Sequence, residues 1–440
     1  MKNTIKRLQA AIQIPTCSHP EAKDTNWLYF DEFIKYLENY YPIIHQNLEK
    51  TIVNNYGLIF HWRGQSNKSN ASLPILLTAH YDVVAASEEG WQHPPFSGYD
   101  DGEYIWGRGT LDDKSSLICI LEAIEQLLSE NYIPPYDIYF AFGFDEEQGG
   151  NLGAQKIADY FLEKQIHFQY VLDEGGAIVG GKTLGVKPDL AVVGIAEKGN
   201  NSFRLTFKGE EGHSSTPPNH TAIGKMAAFI QQVENHPMPV HLTETVIEML
   251  KALSEQMSGI QKFALTYPKT FFPIVKKILL KNKQTAAMLR TTFAFTMTNS
   301  GSGHNVLPKE ATCVVNARIL QGDSVQSIKD YFNHFGFDYK IESILENEPT
   351  AISDVHSNAM SYLADRIQTT FNGTIALPYL MVGGTDSRYY EKVTDQTFRF
   401  LPCRLTNDEL ATMHATNERI SHENLEKMIL FYKEFLINLA

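Results

Sequence analysis

Apolar and polar positions follow two rhythms along this chain, and the change between them marks its organisation. Near 2–14 and 25–41, apolar residues recur at the three-and-four spacing of amphipathic helices. The stretch "VNNYGLIFHW" predicts a hairpin. Strand-like runs over 74–79, 136–144 and 169–173 are then separated by helical patterns over 115–129 and 151–164. Such alternation predicts an α/β domain with a mostly parallel sheet flanked by helices.

From about Gly194 the texture changes. "NSFRLTFKG" alternates apolar and polar residues, as a half-exposed antiparallel strand does. A helix over 221–234, a helix-rich stretch to about 290, and the runs "TTFAFTMT" and "ATCVVNARI" make up a smaller α+β domain over 195–348, with helices on one sheet face. Next come a helix (356–370), the strands "IALPYLMV" and "TFRFL", and a last helix (421–438). These are too few to stand alone and are assigned back to the first sheet. The first domain is therefore discontinuous, 1–194 with 349–440.

Composition narrows the class. With 440 residues, 43% apolar and 20% charged, the chain reads as an ordinary globular protein long enough for two domains. A net charge of -13 argues against nucleic acid or a membrane surface as partner, since either would call for a basic patch. The four cysteines (Cys17, Cys119, Cys313, Cys403) are far apart, which fits a reducing compartment better than a disulfide framework. The amino terminus lacks the apolar core of a signal peptide, and the expected location is cytoplasmic.

The chemistry gathers at the predicted strand exits. The run "PILLTAHYDVV" ends in His80 and Asp82, which point the same way in extended chain. In open α/β sheets, ligands bind beyond the carboxyl ends of the strands. Asp112 and Asp113 precede helix 115–129, where acids also serve as caps. Strand 136–144 runs into Asp145, Glu146 and Glu147, and strand 169–173 ends in Asp173 and Glu174. Carboxylates collected in one place repel each other, and divalent cations relieve that conflict. Imidazole with carboxylate suits zinc, with manganese or cobalt as other candidates. Two ions sharing a carboxylate would use the whole set. The second histidine this requires is best supplied by His414, on a loop that returns to the first domain.

The motifs "HYD", "GRGTLDDK", "DEE", "DEGG", "GHSSTPP", "GGTDSR" and "HATNE" occur in this order over about 80–420. Together they resemble the dinuclear zinc family of aminoacylases, carboxypeptidases and desuccinylases, and within it the carboxypeptidase S-like branch. The resemblance implies a zinc-peptidase-like fold with two Zn2+ per chain. One ion would be held by His80 and Asp173 and the other by Glu147 and His414, with Asp112 bridging. Asp82 would fix the ring of His80, and Glu146 would be the general base. It also implies a cis peptide after Asp112. His213 of the lid domain would assist the developing oxyanion, in dimeric relatives across a homodimer that the helical insertion at about 237–290 would alter or block. Arg388, Asn305 and Arg318 are candidates for reading a substrate carboxylate; for Arg318 a structural ion pair, and for Asn305 a turn, are the competing roles.

The leading reading is a zinc hydrolase that cleaves an amide next to a free-carboxylate amino acid in a small peptide or N-acyl amino acid. A dipeptidase is the alternative, with Glu174 available to a free amino terminus. A non-catalytic binding protein that retained the fold is the reading from another class.

Overall fold

The computed structural model describes residues 1–65 and 72–439. Two compact units emerge: Met1–Ile195 with Ile352–Tyr379 and Thr385–Ala440, and Ala196–Ala351 with Leu380–Gly384. Among the described residues no helix is long and apolar enough to cross a membrane.

An eight-stranded sheet organises the first unit. Its order is Glu49–Val53, Gly57–Trp62, Ile138–Gly143, Ile75–His80, Val171–Val179, Thr397–Arg404, Leu190–Glu197 and Ile375–Met381. The four central strands, Ile138–Gly143 to Thr397–Arg404, pair in parallel. The first two strands form the expected hairpin, turning at Asn54 and Asn55, both with positive φ. Asparagine tolerates that conformation better than most residues. Strand Val171–Val179 outruns its predicted end at 173, and Leu190–Glu197 lies where the sequence predicted no strand.

Parallel register places the chemistry. His80 pairs with Gly143, so the ends of these two strands lie side by side and Asp145 to Glu147 follow just beyond. Leu77 pairs with Leu172, which brings Asp173 and Glu174 to the same edge. Behind them runs the helix Lys114–Ser129, buried over nearly its whole length, with its buried Glu122 and Glu125 answered by Arg7 and by the Ile44 backbone N–H. Its first residue, Lys114, is fully buried. The Lys114 ammonium donates to the carbonyls of Ala11 (2.9 Å) and Ile14 (2.6 Å) and lies 5.2 Å from the centre of the Phe33 ring. The helix Lys2–Ile12 is thereby tied to the start of Lys114–Ser129.

The second unit carries a four-stranded antiparallel sheet in the order Thr292–Ser300, Glu310–Ile319, Gly199–Lys208, Lys340–Leu345. The helices Ala222–Asn235 and Val325–His334 contribute Phe229 and Phe332 to a core with Phe203, Phe207 and Val315. The strand Lys340–Leu345 was not visible in the sequence, because this edge strand is exposed along most of its length. The helix-rich stretch resolves into Glu244–Ser254, Gly259–Thr266, Phe272–Leu279 and Lys283–Ala287.

Replacing Lys114 by alanine removes two charge-assisted bonds from a dry interior and should cost about 3 kcal/mol in urea unfolding. A loss below about 1 kcal/mol would mean that desolvating the ammonium cancels what the bonds contribute.

Candidate metal centre

Asp112 stands at the middle of the cluster. Its Oδ1 lies 2.9 Å from His80 Nε2 and its Oδ2 lies 2.8 Å from His414 Nε2. One carboxylate therefore faces two imidazoles, one through each oxygen. The peptide between Asp112 and Asp113 is cis. His80 is buried, whereas the His414 side chain is 51% exposed on backbone with φ of 59°.

Around this carboxylate, two groups of donor atoms each lie within 4.8 Å of one another: His80, Glu146 and Glu174, and Asp112, Glu147 and His414. Glu174 Oε1 is 3.3 Å from His80 Nε2, and Glu147 Oε1 is 3.3 Å from His414 Nε2. The resemblance named Asp173 beside His80. Successive side chains of a strand point to opposite faces, and it is Glu174 that turns toward His80. Asp173 turns away, and its carboxylate accepts the backbone N–H of Ser387 at 2.8 Å.

Asp82 is fully buried; its Oδ1 lies 3.3 Å from His80 Nδ1, and its carboxylate accepts three further donors. The backbone N–H groups of Glu146 and Glu147 reach its two oxygens at 3.1 Å each, and the Ser18 hydroxyl donates at 2.6 Å. The backbone carbonyl of Asp82 lies 3.0 Å from His80 Nδ1. A proton on Nδ1 satisfies that carbonyl and leaves Nε2 facing Asp112 and Glu174. Asp113 sits at the start of helix Lys114–Ser129 but makes no side-chain cap; it accepts the His80 backbone N–H at 3.3 Å. Asp145 accepts the N–H groups of Leu152 and Gly153, both at 2.7 Å, and so shapes the turn that follows.

Two supports escaped the sequence reading. Glu418 is buried, pairs with Arg108, and accepts the N–H groups of Gly109 (3.0 Å), Leu111 (2.7 Å) and Asp112 (3.3 Å) on one oxygen. It therefore holds the backbone of the shared aspartate. Its only signal was its place in "HATNE", where the histidine drew attention. Asp386, in "GGTDSR", is buried against Gly143 and Gly150. A Cβ would come 2.4 Å from Asp386 Oδ2 at Gly143, and 2.0 Å from Oδ1 at Gly150, where φ is +70°. At Gly150 the backbone conformation also favours glycine; at Gly143 a side chain would displace the Asp386 carboxylate.

Arg388 follows Ser387, and its Nε donates to the Thr385 carbonyl at 2.8 Å, with the guanidinium 5.7 Å from the Tyr389 ring centre. His213, Asn305 and Arg318 belong to the second unit. His213 pairs with Val306, the neighbour of Asn305, in a two-stranded ribbon. Its Nδ1 receives the Ser215 backbone N–H at 3.2 Å, which puts the proton of the neutral ring on Nε2. Arg318 lies on Glu310–Ile319 and donates from Nε to Asn316 Oδ1 at 3.2 Å.

The charge balance of the cluster suits divalent cations. Burial drives the carboxyls of Glu146 and Glu174 well above their usual range, and the surrounding acids add to the rise. Hydrogen bonds to Asp112 and Glu147 push His414 up to about 11. Burial opposes ionisation of Asp112, but contacts with His414 and His80 hold its carboxyl below the usual range. Glu147 Oε1 is buried and has only the His414 ring, at 3.3 Å, beside it among the described residues. Four carboxylates and two imidazoles form a donor set that fits hard or borderline divalent ions.

Comparison with known proteins agrees. Peptidase family M20/M25/M40 matches residues 76–438. The Dictyostelium discoideum protein named "Probable carboxypeptidase S-like 2" is 36% identical, over 98% of this chain and 84% of the relative. The human N-fatty-acyl-amino acid synthase/hydrolase PM20D1 is 34% identical, over 98% and 86%. Among solved structures, the M20 family metallo-carboxypeptidase Sso-CP2 from Sulfolobus solfataricus superposes with a TM-score of 0.73 at 17% identity, over 99% of each chain. Human carnosine dipeptidase 1 gives 0.66 at 14%, over 99% and 95%. The chain belongs to peptidase family M20/M25/M40 and is a metal-dependent hydrolytic enzyme.

Proposed function

We propose that this enzyme hydrolyses the amide bond next to a free-carboxylate amino acid, as a carboxypeptidase or an N-acyl-amino-acid hydrolase, with two divalent ions bound per chain. The observation that carries this reading is the division of Asp112 between His80 and His414, one oxygen to each. His80 and Glu174 would hold one ion, Glu147 and His414 the other, and Asp112 both. Zinc suits this donor set, with manganese or cobalt as alternatives. Such ions, when bound, supply Lewis acidity that polarises a carbonyl and acidifies a water.

The chain's own groups do the rest. Glu146 takes a proton from the attacking water onto a carboxylate oxygen and delivers it to the leaving nitrogen. Asp82, by accepting the backbone N–H groups of Glu146 and Glu147, keeps the two neighbouring glutamates in separate roles. His213, with its ring proton on Nε2, is assigned to the developing oxyanion. Arg388 is assigned to the substrate carboxylate, with Asn305 and Arg318 as further carboxylate contacts. Two relatives support this substrate class by name, one a carboxypeptidase S-like protein and one an N-fatty-acyl-amino acid synthase/hydrolase.

Three outcomes test the reading. Glu146→Gln should keep its metal, measured by elemental analysis of dialysed protein, and lose about 100- to 10,000-fold in turnover. Glu174→Gln should lose metal, and if the two variants behave the other way round the roles are exchanged. Glu418→Gln should fold yet bind metal about 10- to 100-fold more weakly, since it orients the backbone of Asp112 rather than touching an ion. An unchanged affinity would remove it from the support of the centre. Amidating the substrate carboxylate should cost roughly 2–4 kcal/mol in kcat/KM, and Arg388→Ala should erase most of that difference. Equal hydrolysis of acid and amide by the unaltered enzyme would point to a general amidase.

A further inference from the structure

Helices on the surface of a globular protein normally show one apolar stripe, turned to the core. The helix Phe272–Leu279 shows two. Val275 is buried and Leu279 half-buried, but Ile274 and Ile278, one turn apart on a neighbouring face, are 56% and 58% exposed. In the preceding helix, Gly259–Thr266, Ile260 is 84% exposed and Phe263 53%. Tyr267 follows at the next helical repeat and is also exposed. Ring contacts run from the first helix to the start of the second, with Phe263 lying 5.1 Å from Tyr267 and 5.4 Å from Phe271 between centres. An exposed apolar surface of this kind marks an interaction site.

Its charge identifies the partner. Between Glu255 and Glu310 the sequence holds no acidic residue, while Lys262, Lys269, Lys276, Lys277, Lys281 and Lys283 fall within the helical stretch. Among the described residues, Lys269 is the one of these six in an ion pair, with Glu244 at 2.9 Å. Lys277 is exposed on this helix, three residues from Ile274, and Lys281 is exposed in the turn that follows it. A net charge of -13 averaged over the chain conceals this segment.

We propose that the face formed by Gly259–Thr266 and Phe272–Leu279 docks on an anionic lipid bilayer. Isoleucine and aromatic side chains enter the headgroup boundary while the lysine ammoniums meet lipid phosphates. A second copy of the chain fits this face less well. Symmetric pairing would bring two copies of a lysine-rich segment together with no acid in either segment to answer the charge. A purely anionic polymer would leave the exposed isoleucines uncovered.

The test is co-sedimentation of the full chain with vesicles of phosphatidylcholine alone and of phosphatidylcholine mixed with phosphatidylglycerol. The expected result is binding to the mixed vesicles, weakened by salt. Lys277→Glu combined with Lys281→Glu should reduce it about tenfold or more, and Ile274→Ser with Ile278→Ser should reduce it comparably. These positions are exposed, so circular dichroism should be unchanged. In Ile278→Trp, the added fluorescence should shift to the blue on mixed vesicles. The proposal is overturned if the chain stays in the supernatant, if the paired variants bind as well as the parent, or if the added tryptophan signal does not shift. It is equally overturned if sedimentation velocity without lipid finds a dimer that the isoleucine variants dissociate.

Discussion

Like charges held together in a low-dielectric setting are the constraint around which this enzyme is built. Parallel strands deliver their ends to one edge of the sheet, and here those ends carry Asp112's neighbours: His80, Glu146, Glu147 and Glu174. Left alone, such carboxylates would protonate or move apart. Backbone and buried side chains fix them from behind and keep them from moving apart. The cluster is thus stable as a shape before it is useful as chemistry, and the cations it calls for relieve a repulsion already set by the fold.

The fixing is itself done by carboxylates. Asp82, Asp145, Asp173 and Glu418 each accept backbone N–H groups, and each thereby holds the chain that carries a candidate ligand or base or lies beside it. The acids at this edge divide by what they face. Those facing N–H groups are satisfied by the protein, and those facing the imidazoles leave acceptor capacity to be met. This division separates Asp173 from Glu174, although they are adjacent in sequence.

Much of this was legible in the sequence, for physical reasons. The helix Lys114–Ser129 and the central strands are long, strongly apolar and bounded by polar residues, so their period is clear. The gathering of acids at strand exits followed from those strands. What the sequence left open was finer. Choosing between Asp173 and Glu174 needs the phase of strand Val171–Val179, and a strand predicted to stop at 173 gives no phase there. Glu418 was hidden because its partners are backbone N–H groups of residues more than three hundred positions away, which no spacing reveals. Lys340–Leu345 has too few buried positions to show alternation. Net charge, being a sum, could not disclose a segment without acids.

The loop from His414 to Glu418 does two things at once. At one end it presents an imidazole to Asp112 Oδ2, and four residues later it grips the backbone N–H of that same aspartate. The two donor groups are therefore not separate receptacles. Any event that shifts His414 also tugs the peptide from which the shared carboxylate hangs, and so alters the opposite group. Under the proposed two-ion reading, linkage makes any such coupling reciprocal: the factor by which one group's occupancy changes the other's affinity is the same in both directions.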